Sequence, residues 1–539
     1  MHQPWRWPDN DQLQVTTHTL LHRRNRPRCT PRFPSLTATL VSLALLGLTT
    51  PALGQDAVPD APLAPTTSTV PEPAPAAVTA TAKLESANHS KSATAAVAVE
   101  PQPTIPLKPL RLRRSYLATG VASLGILAGL NIGGRLLNYS YVNVSVDSLA
   151  KNLSSRWVWD DDLFATNQFG HPYMGSLFYS AARANGLSVL ESAAVTYVDS
   201  LVWEVAFETE IPSINDQLLT PVAGVLLGEV LHRWSRSILW RPNGQPAGVV
   251  RHMMAGVLDP IGLLNRQTLG DAWRLDPPPP SFGWLTLGWT GLATSFDTPT
   301  GTTLTRSRLV FGGLAYIYGL PTSARYRPRR PLDHFDARFE GSASRTQSYA
   351  TLRLRGLLYG TSFGGPKLRG LWGAFGGYDF DNPERLRIST LTAGVGTTIH
   401  VPIRDRIFLQ GTAIASVIPY GVAGSGLPDN GTNRDYHRGP GAAQLLEAKL
   451  GYRGIGIVRA AVSGYQINGG AFNEGGEAIV LSRLGAMFSI TGHHAVGLEA
   501  GFGYRHATFQ AADSVTDRSA SLRFYYALIQ DTDFGGSSQ

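Results

Sequence analysis

Between about residue 281 and residue 530, apolar side chains recur at every second position. In Thr351–Leu358, Leu352, Leu354 and Leu358 share one face, and Arg353 and Arg355 the other. Leu446, Ala448, Leu450 and Tyr452 oppose Glu447, Lys449 and Arg453. Leu498, Ala500, Phe502 and Tyr504 oppose Glu499 and Arg505. Leu522, Phe524, Tyr526 and Leu528 oppose Ser521 and Arg523. A period of two, with charges confined to one face, is the pattern of a transmembrane barrel strand. A soluble sandwich also alternates, but with fewer glycines and a better covered core. About twelve such segments are predicted, an even number as bacterial barrels require. The longest expected loops are Leu320–His334 and Gly421–Gly441. A tail, Asp531–Gln539, follows the last strand and contains Phe534.

Upstream the period changes to a helical one. Ser115–Gly134 is free of charge and bracketed by Arg114 and Arg135. Its length suits a membrane-crossing anchor. Gly120, Gly125, Gly129 and Gly133 favour instead a helix packed closely inside the protein. Pro172 and Asn185-Gly186 delimit a helix from His171 to Ala184. A second helix is predicted from Ser188 to Phe207, ended by Ile211-Pro212. Thr220-Pro221 is expected to start a third, running to Leu239, with Gly224 and Gly228 as a close-packing face. Arg251–Asn265 reads as two short amphipathic helices, and Pro277–Pro280 as a stiff spacer.

The amino-terminal part carries different signals. An arginine cluster precedes the apolar run Leu36–Leu48, and Pro51–Gly54 supplies a small-residue cleavage site. Residues 1–54 are therefore an expected export signal. Residues 55–108, rich in Ala, Pro and Thr, lack the large apolar groups that offset ordering entropy and read as a disordered linker. Residues 109–280 form a helical motif domain, and residues 281–539 the barrel.

Composition sharpens this picture. Only 16% of residues are charged, well below the roughly 25% of ordinary soluble domains. The net charge of +8 owes much to Arg23, Arg24, Arg26, Arg28 and Arg32 in the leader, so nucleic acid is not an expected partner. Expected partners are outer-membrane lipids and the barrel assembly machinery. The one cysteine, Cys29, lies in the leader, which excludes disulfides and thiolate chemistry from the exported part.

The helical segment holds ionisable groups among Ala, Gly, Leu and Val, where an unpaired charge costs several kcal/mol. The candidate cluster is His171, Glu204, Glu208, Asn215, Asp216, Glu229 and His232. Glu229 and His232 make Glu-x-x-His, half of a di-iron carboxylate pattern, but no second copy exists. Glu204 and Glu208 share a helical face and repel unless paired. No metal or other cofactor is therefore expected. A hydrolase reading takes His171 as base, Glu204 as its orienting group, and Ser176 or Ser213 as nucleophile. The structural reading makes the cluster a satisfied polar network, with Arg183 pairing a carboxylate and Asn215 and Asp216 capping helix ends. Trp157-Val158-Trp159-Asp160 reads as an interface anchor.

Several separated motifs occur in order: His171-Pro172-Tyr173-x-Gly175-Ser176, Ala181-Ala182-Arg183-x-Asn185-Gly186, Trp203-Glu204, Pro212–Asp216, and Thr220-Pro221-x-x-Gly224-x-x-x-Gly228-Glu229. Over about residues 155–270 they resemble a bacterial envelope family known as domain of unknown function 3943. The resemblance implies export and association with a β-rich outer-membrane region, and no chemistry. Together these readings give a mainly β protein: an outer-membrane barrel with a plug-like helical domain that plugs or abuts it, in a structural or transport role. The alternative is a membrane-embedded hydrolase of an envelope lipid or glycan.

Overall fold

The computed structural model describes residues 114–536, apart from 160–161, 243, 270–276, 299–300, 323–325, 346, 384–385, 425–435, 470–474 and 510–513. The expected export signal and linker lie outside the described residues, as does most of the loop after Gly424.

Seven α-helices come first: α1 (Tyr116–Leu136), α2 (Val146–Ser154), α3 (His171–Ala184), α4 (Val189–Val202), α5 (Ile214–Leu239), α6 (Val249–Leu258) and α7 (Pro260–Leu269). Twelve strands follow: β1 (Ser281–Thr298), β2 (Gly301–Tyr318), β3 (Phe335–Ala343), β4 (Ser348–Gly364), β5 (Arg369–Asp381) and β6 (Ile388–Pro402), then β7 (Ile407–Gly424), β8 (Tyr436–Tyr452), β9 (Gly456–Asn468), β10 (Gly476–Thr491), β11 (His494–Thr508) and β12 (Val515–Ile529). Each strand pairs antiparallel with its chain neighbours, and β1 pairs with β12, for example Trp289 with Phe524. The barrel is closed and has no free edge.

Partners across the interior reveal which face points where. Arg338 on β3 donates to Glu447 on β8 at 3.0 Å, and Arg523 on β12 donates to Glu340 on β3 at 3.0 Å. Strands that are not sheet neighbours meet only through the lumen, so these charges point inward. Side chains alternate along a strand, so Ala337, Phe339, Leu352 and Leu354 point outward. Leu522, Phe524, Tyr526 and Leu528 also point outward, and Phe524 is 55% exposed. The sequence alternation thus assigns the faces correctly, with a bulge between Leu357 and Tyr359 interrupting it on β4.

The lumen is filled in layers. In its middle, Glu447 meets Arg338, Lys449 and Arg459, while Glu340 meets Arg483 and Arg523. Arg355 grips Asp379, which also accepts from Tyr465 at 2.6 Å. At the end where β1 begins and β12 finishes, Phe282, Ile317, Leu320, Phe408, Met487 and Ile529 pack together. The tail folds into this layer. Phe534 is buried there, and the Gly535 carbonyl accepts from Gln410 at 3.0 Å. At the opposite end Ile388, Ile418, Tyr465, Ile467 and Ile479 pack. Near them the fully buried Arg505 joins Glu477, Asp517 and the Gly424 carbonyl. Two small cavities, of about 90 and 70 Å³, remain among the central charges.

The helices do not plug this lumen; of the two expected placements, plugging or abutting the barrel, they take the second. They dock on the outer wall. Trp234 of α5 stacks on Tyr316 at 4.9 Å, Phe164 on Phe380 at 5.6 Å, and Trp159 on Tyr420 at 6.0 Å. Arg438 lies over the Trp159 ring at 4.7 Å. Tyr378 donates to the Gln168 carbonyl, and Asn167 donates to the Tyr436 hydroxyl at 3.0 Å. Outward Phe335, Leu354 and Tyr378 are thereby fully buried. The reason is complementarity: lumen charges already pair with one another, whereas the docking face of the helices is aromatic and apolar, like the wall it meets.

Phe524 tests the face assignment. Phe524→Arg is expected to cost about 2–4 kcal/mol if the position lies near the bilayer midplane. It should lower the temperature at which the folded, fast-migrating band is lost on an unheated gel. Unchanged heat resistance would show that Phe524 does not face lipid.

Candidate functional site

Helices α3 and α5 touch backbone to backbone. A Cβ on Gly175 would lie 1.8 Å from the Thr220 carbonyl oxygen, and one on Gly224 2.7 Å from Gly175. Gly228 likewise admits the Tyr179 ring. No larger residue fits, so the predicted close-packing face of Gly224 and Gly228 is real. In contrast, Gly120, Gly125, Gly129 and Gly133 of α1 have open space around them. Helix α1 packs instead through Thr119, Ser123, Leu127, Asn131 and Gly134, spaced four, four, four and three apart along one stripe. Ser123 donates to Asp199 at 2.6 Å and Asn131 to the Val142 carbonyl at 2.9 Å. Polar pairing, with Leu127 and Gly134 against Val142, ties α1 to the domain in place of the four predicted glycines.

Two widened π turns flank the α3–α5 contact. Thr166–Gly170 leads into α3, and Trp203–Phe207 ends the helix predicted to stay regular to Phe207. Such turns insert an extra residue and re-aim side chains. Helix α5 begins at Ile214, six residues before the expected start, because the Ser213 hydroxyl caps the Asp216 N–H at 3.2 Å. Pro221 lies inside it. Ser213 thus takes the capping role expected of Asn215 and Asp216, whose side chains remain available to the interior.

The seven candidate residues fall into two centres. His171, Glu204, Glu208, Asn215 and Asp216 gather at the start of α5. Glu229 and His232 lie more than three turns further along it, about 20 Å away at 1.5 Å per residue. In the first centre, His171 Nδ1 contacts Thr220 Oγ1 at 3.2 Å, and its Nε2 lies 3.6 Å from Asp216 Oδ1. Glu204 Oε2 accepts from the Ser213 N–H at 2.9 Å, and Asp216 from Asn215 at 3.2 Å. Trp203 donates to Glu208 at 3.1 Å. Burial pushes the Glu208 carboxyl well above the usual range, and the Glu204 charge and hydrogen bond add to this. A raised Glu208 pKa favours its neutral form, which relieves the repulsion expected between the two carboxyls.

In the second centre, Glu229 is fully buried and accepts from Tyr179 at 2.8 Å, Arg183 at 2.7 Å and Arg233 at 2.7 Å. Burial alone would raise its pKa, but the two guanidinium groups outweigh that and hold it below the usual carboxylate range. Arg233 continues to Asp333 at 2.6 Å and to the Pro331 carbonyl at 2.8 Å, linking α5 to the loop between β2 and β3. His232 Nδ1 meets Asp259 at 3.2 Å, and Asp259 also accepts from Ser180 and from the Gly262 N–H. Burial lowers the His232 pKa against the opposing pull of Asp259. The expected pairing of Arg183 with a helix carboxylate is present, whereas Glu229 and His232 turn to different partners.

The serines named for a hydrolase are committed elsewhere. Ser176 donates to the Tyr173 carbonyl at 2.6 Å, and Ser213 is the α5 cap. Neither is paired with His171. Sequence reasoning missed Asp259 and Thr220. Asp259-Pro260 is a helix-start signal that marks α7 and could have drawn attention to Asp259. Thr220 became a partner of His171 only through the glycine contact between helices.

Residues 156–261 match the family model described as Domain of unknown function (DUF3943). No curated protein matches the chain. Solved structures similar to it include the Pseudomonas putida toluene transporter TodX, at 8% identity and a TM-score of 0.20, covering 46% of this chain and 89% of that one. A Pseudomonas aeruginosa FadL homologue aligns at 9% identity and a TM-score of 0.21, over 47% and 90% of the two chains. The translocator domain of the autotransporter NalP from Neisseria meningitidis aligns at 10% identity and a TM-score of 0.21, over 45% and 88%.

Two measurements test the second centre. Glu229→Ala leaves Arg183 and Arg233 buried without their counter-charge, which is expected to cost about 3–5 kcal/mol. The loss should appear as a lower unfolding temperature. His232 has a depressed folded pKa, so the folded state favours its neutral ring. Its contribution is present above the unfolded value near 6.5 and is lost as pH falls through the folded value. Wild type should therefore lose more heat resistance than His232→Gln between pH 7.5 and pH 5. Parallel pH profiles would contradict the assignment.

Proposed function

We propose that the protein is exported to the outer membrane, where the barrel is a closed anchor for the helical domain docked on its outer wall. The lumen carries this reading. Its central ion pairs join strands that are not sheet neighbours, and an apolar layer lies at each end. A solute pathway would have to break several buried ion pairs, each costly to separate. Of the structural and transport roles, the structural one is therefore favoured.

The membrane setting rests on the outer surface. Leu287, Trp289, Leu498, Phe502, Leu522 and Phe524 form an exposed apolar belt on β1, β11 and β12. Beyond it, towards the β1–β2 turn, Arg306, Arg308 and Arg518 are exposed. Apolar wall flanked by basic residues suits a bilayer and its headgroups. The helical domain continues the apolar surface, with Leu117, Val121, Val249 and Met253 exposed. Helix α1 is also long and apolar enough to cross a membrane. Lipids are thus the expected partners of both parts, and the barrel assembly machinery is the expected route of insertion.

The test is electrical. The full chain, folded in planar lipid bilayers, should give no regular unitary conductance steps at moderate voltage. Reproducible steps of one size would contradict the closed anchor and restore a transport role.

A further inference from the structure

We propose that His171, Glu204 and Asp216 form a binding site for one first-row divalent cation, Zn²⁺ being the first candidate. The three residues come from three separate segments: the start of α3, the π turn after α4, and the first turn of α5. Each offers one ligand atom, and these atoms all lie within 4.8 Å of one another. Glu204 is fully buried and Asp216 nearly so. The inference goes beyond the anchor reading and does not depend on it.

The spacing is one that two ligands of a single metal ion would have. His171 Nε2 and Asp216 Oδ1 are 3.6 Å apart, too long for a hydrogen bond. Two donors on one tetrahedral zinc, each about 2.0–2.2 Å from it, stand about 3.3–3.6 Å apart. The donor set of one imidazole and two carboxylates is hard to borderline. It suits Zn²⁺ or Mn²⁺ and leaves a position open for water.

The surroundings are built as ligand supports. Thr220 contacts the other ring nitrogen of His171, which fixes the ring so that Nε2 faces the carboxylates. The Ser213 N–H holds Glu204, and Asn215 holds Asp216. Glu208 bonds to Glu204 and is itself held by Trp203. Both π turns place a donor: one delivers His171, the other carries Glu204.

The experiment uses the full chain, folded in detergent, stripped with a chelator and titrated with ZnCl₂ and, separately, MnCl₂. Binding is read by calorimetry and bound metal by elemental analysis. About one equivalent of Zn²⁺ or Mn²⁺ should bind the wild type. His171→Ala, Glu204→Gln and Asp216→Asn should each lose it while keeping folded migration on an unheated gel. Asp199→Asn, outside the cluster, should bind as wild type does. Thr220→Val keeps all three donors and should bind 10–100-fold more weakly. It reads the site even if a ligand variant fails to fold. Wild type that takes up neither ion overturns the proposal. So does uptake that is unchanged in the folded variants, Thr220→Val included.

Discussion

A charge removed from water must meet an opposite charge, or the fold does not hold. That constraint shapes both halves of this protein. Twelve strands turn one polar face inward, into a space too narrow to leave those charges hydrated. Arginine and carboxylate rows therefore meet across the lumen, as Arg338 meets Glu447 and Arg523 meets Glu340. The same need recurs in the helices, where Arg183 and Arg233 grip Glu229. A network of this kind specifies register, because sliding one strand by a single residue would turn its charges to the apolar outer face.

The barrel was legible because its signal is local and periodic. Leu522, Phe524 and Arg523 declare their faces within five residues, and the same rule holds on β4, β8 and β11. The helix from His171 to Ala184 was legible from Pro172 and Asn185-Gly186. The start of α5 was not, because Thr220-Pro221 imitates a helix start while the true cap, Ser213, sits one turn and more upstream. The two π turns were hidden too, since neither has a residue pattern distinct from an ordinary helix.

Long-range placement was the part the chain concealed. Outward Leu354 and outward Phe524 look alike in sequence, yet one lies beneath the helices and the other is exposed. Alternation tells inside from outside but says nothing about what covers the outside. In the same way, the candidate residues were one list in sequence and are two centres in space. Helix α5 separates them by length, and the Gly175–Gly224 contact decides which partner each can reach. The proposed cation site follows from that separation.

The central claim is that the helices lie against the outer wall and the lumen is closed without them. Carbene footprinting from a lipid-borne photolabel, read by mass spectrometry on the folded wild-type protein, tests it most directly. The account predicts labelling of Leu522, Phe524, Tyr526 and Leu528, and protection of Leu352, Leu354, Tyr378 and Phe380, all eight of which point outward. Equal labelling of both groups would mean that lipid, not the helical domain, covers that wall, and would contradict the account.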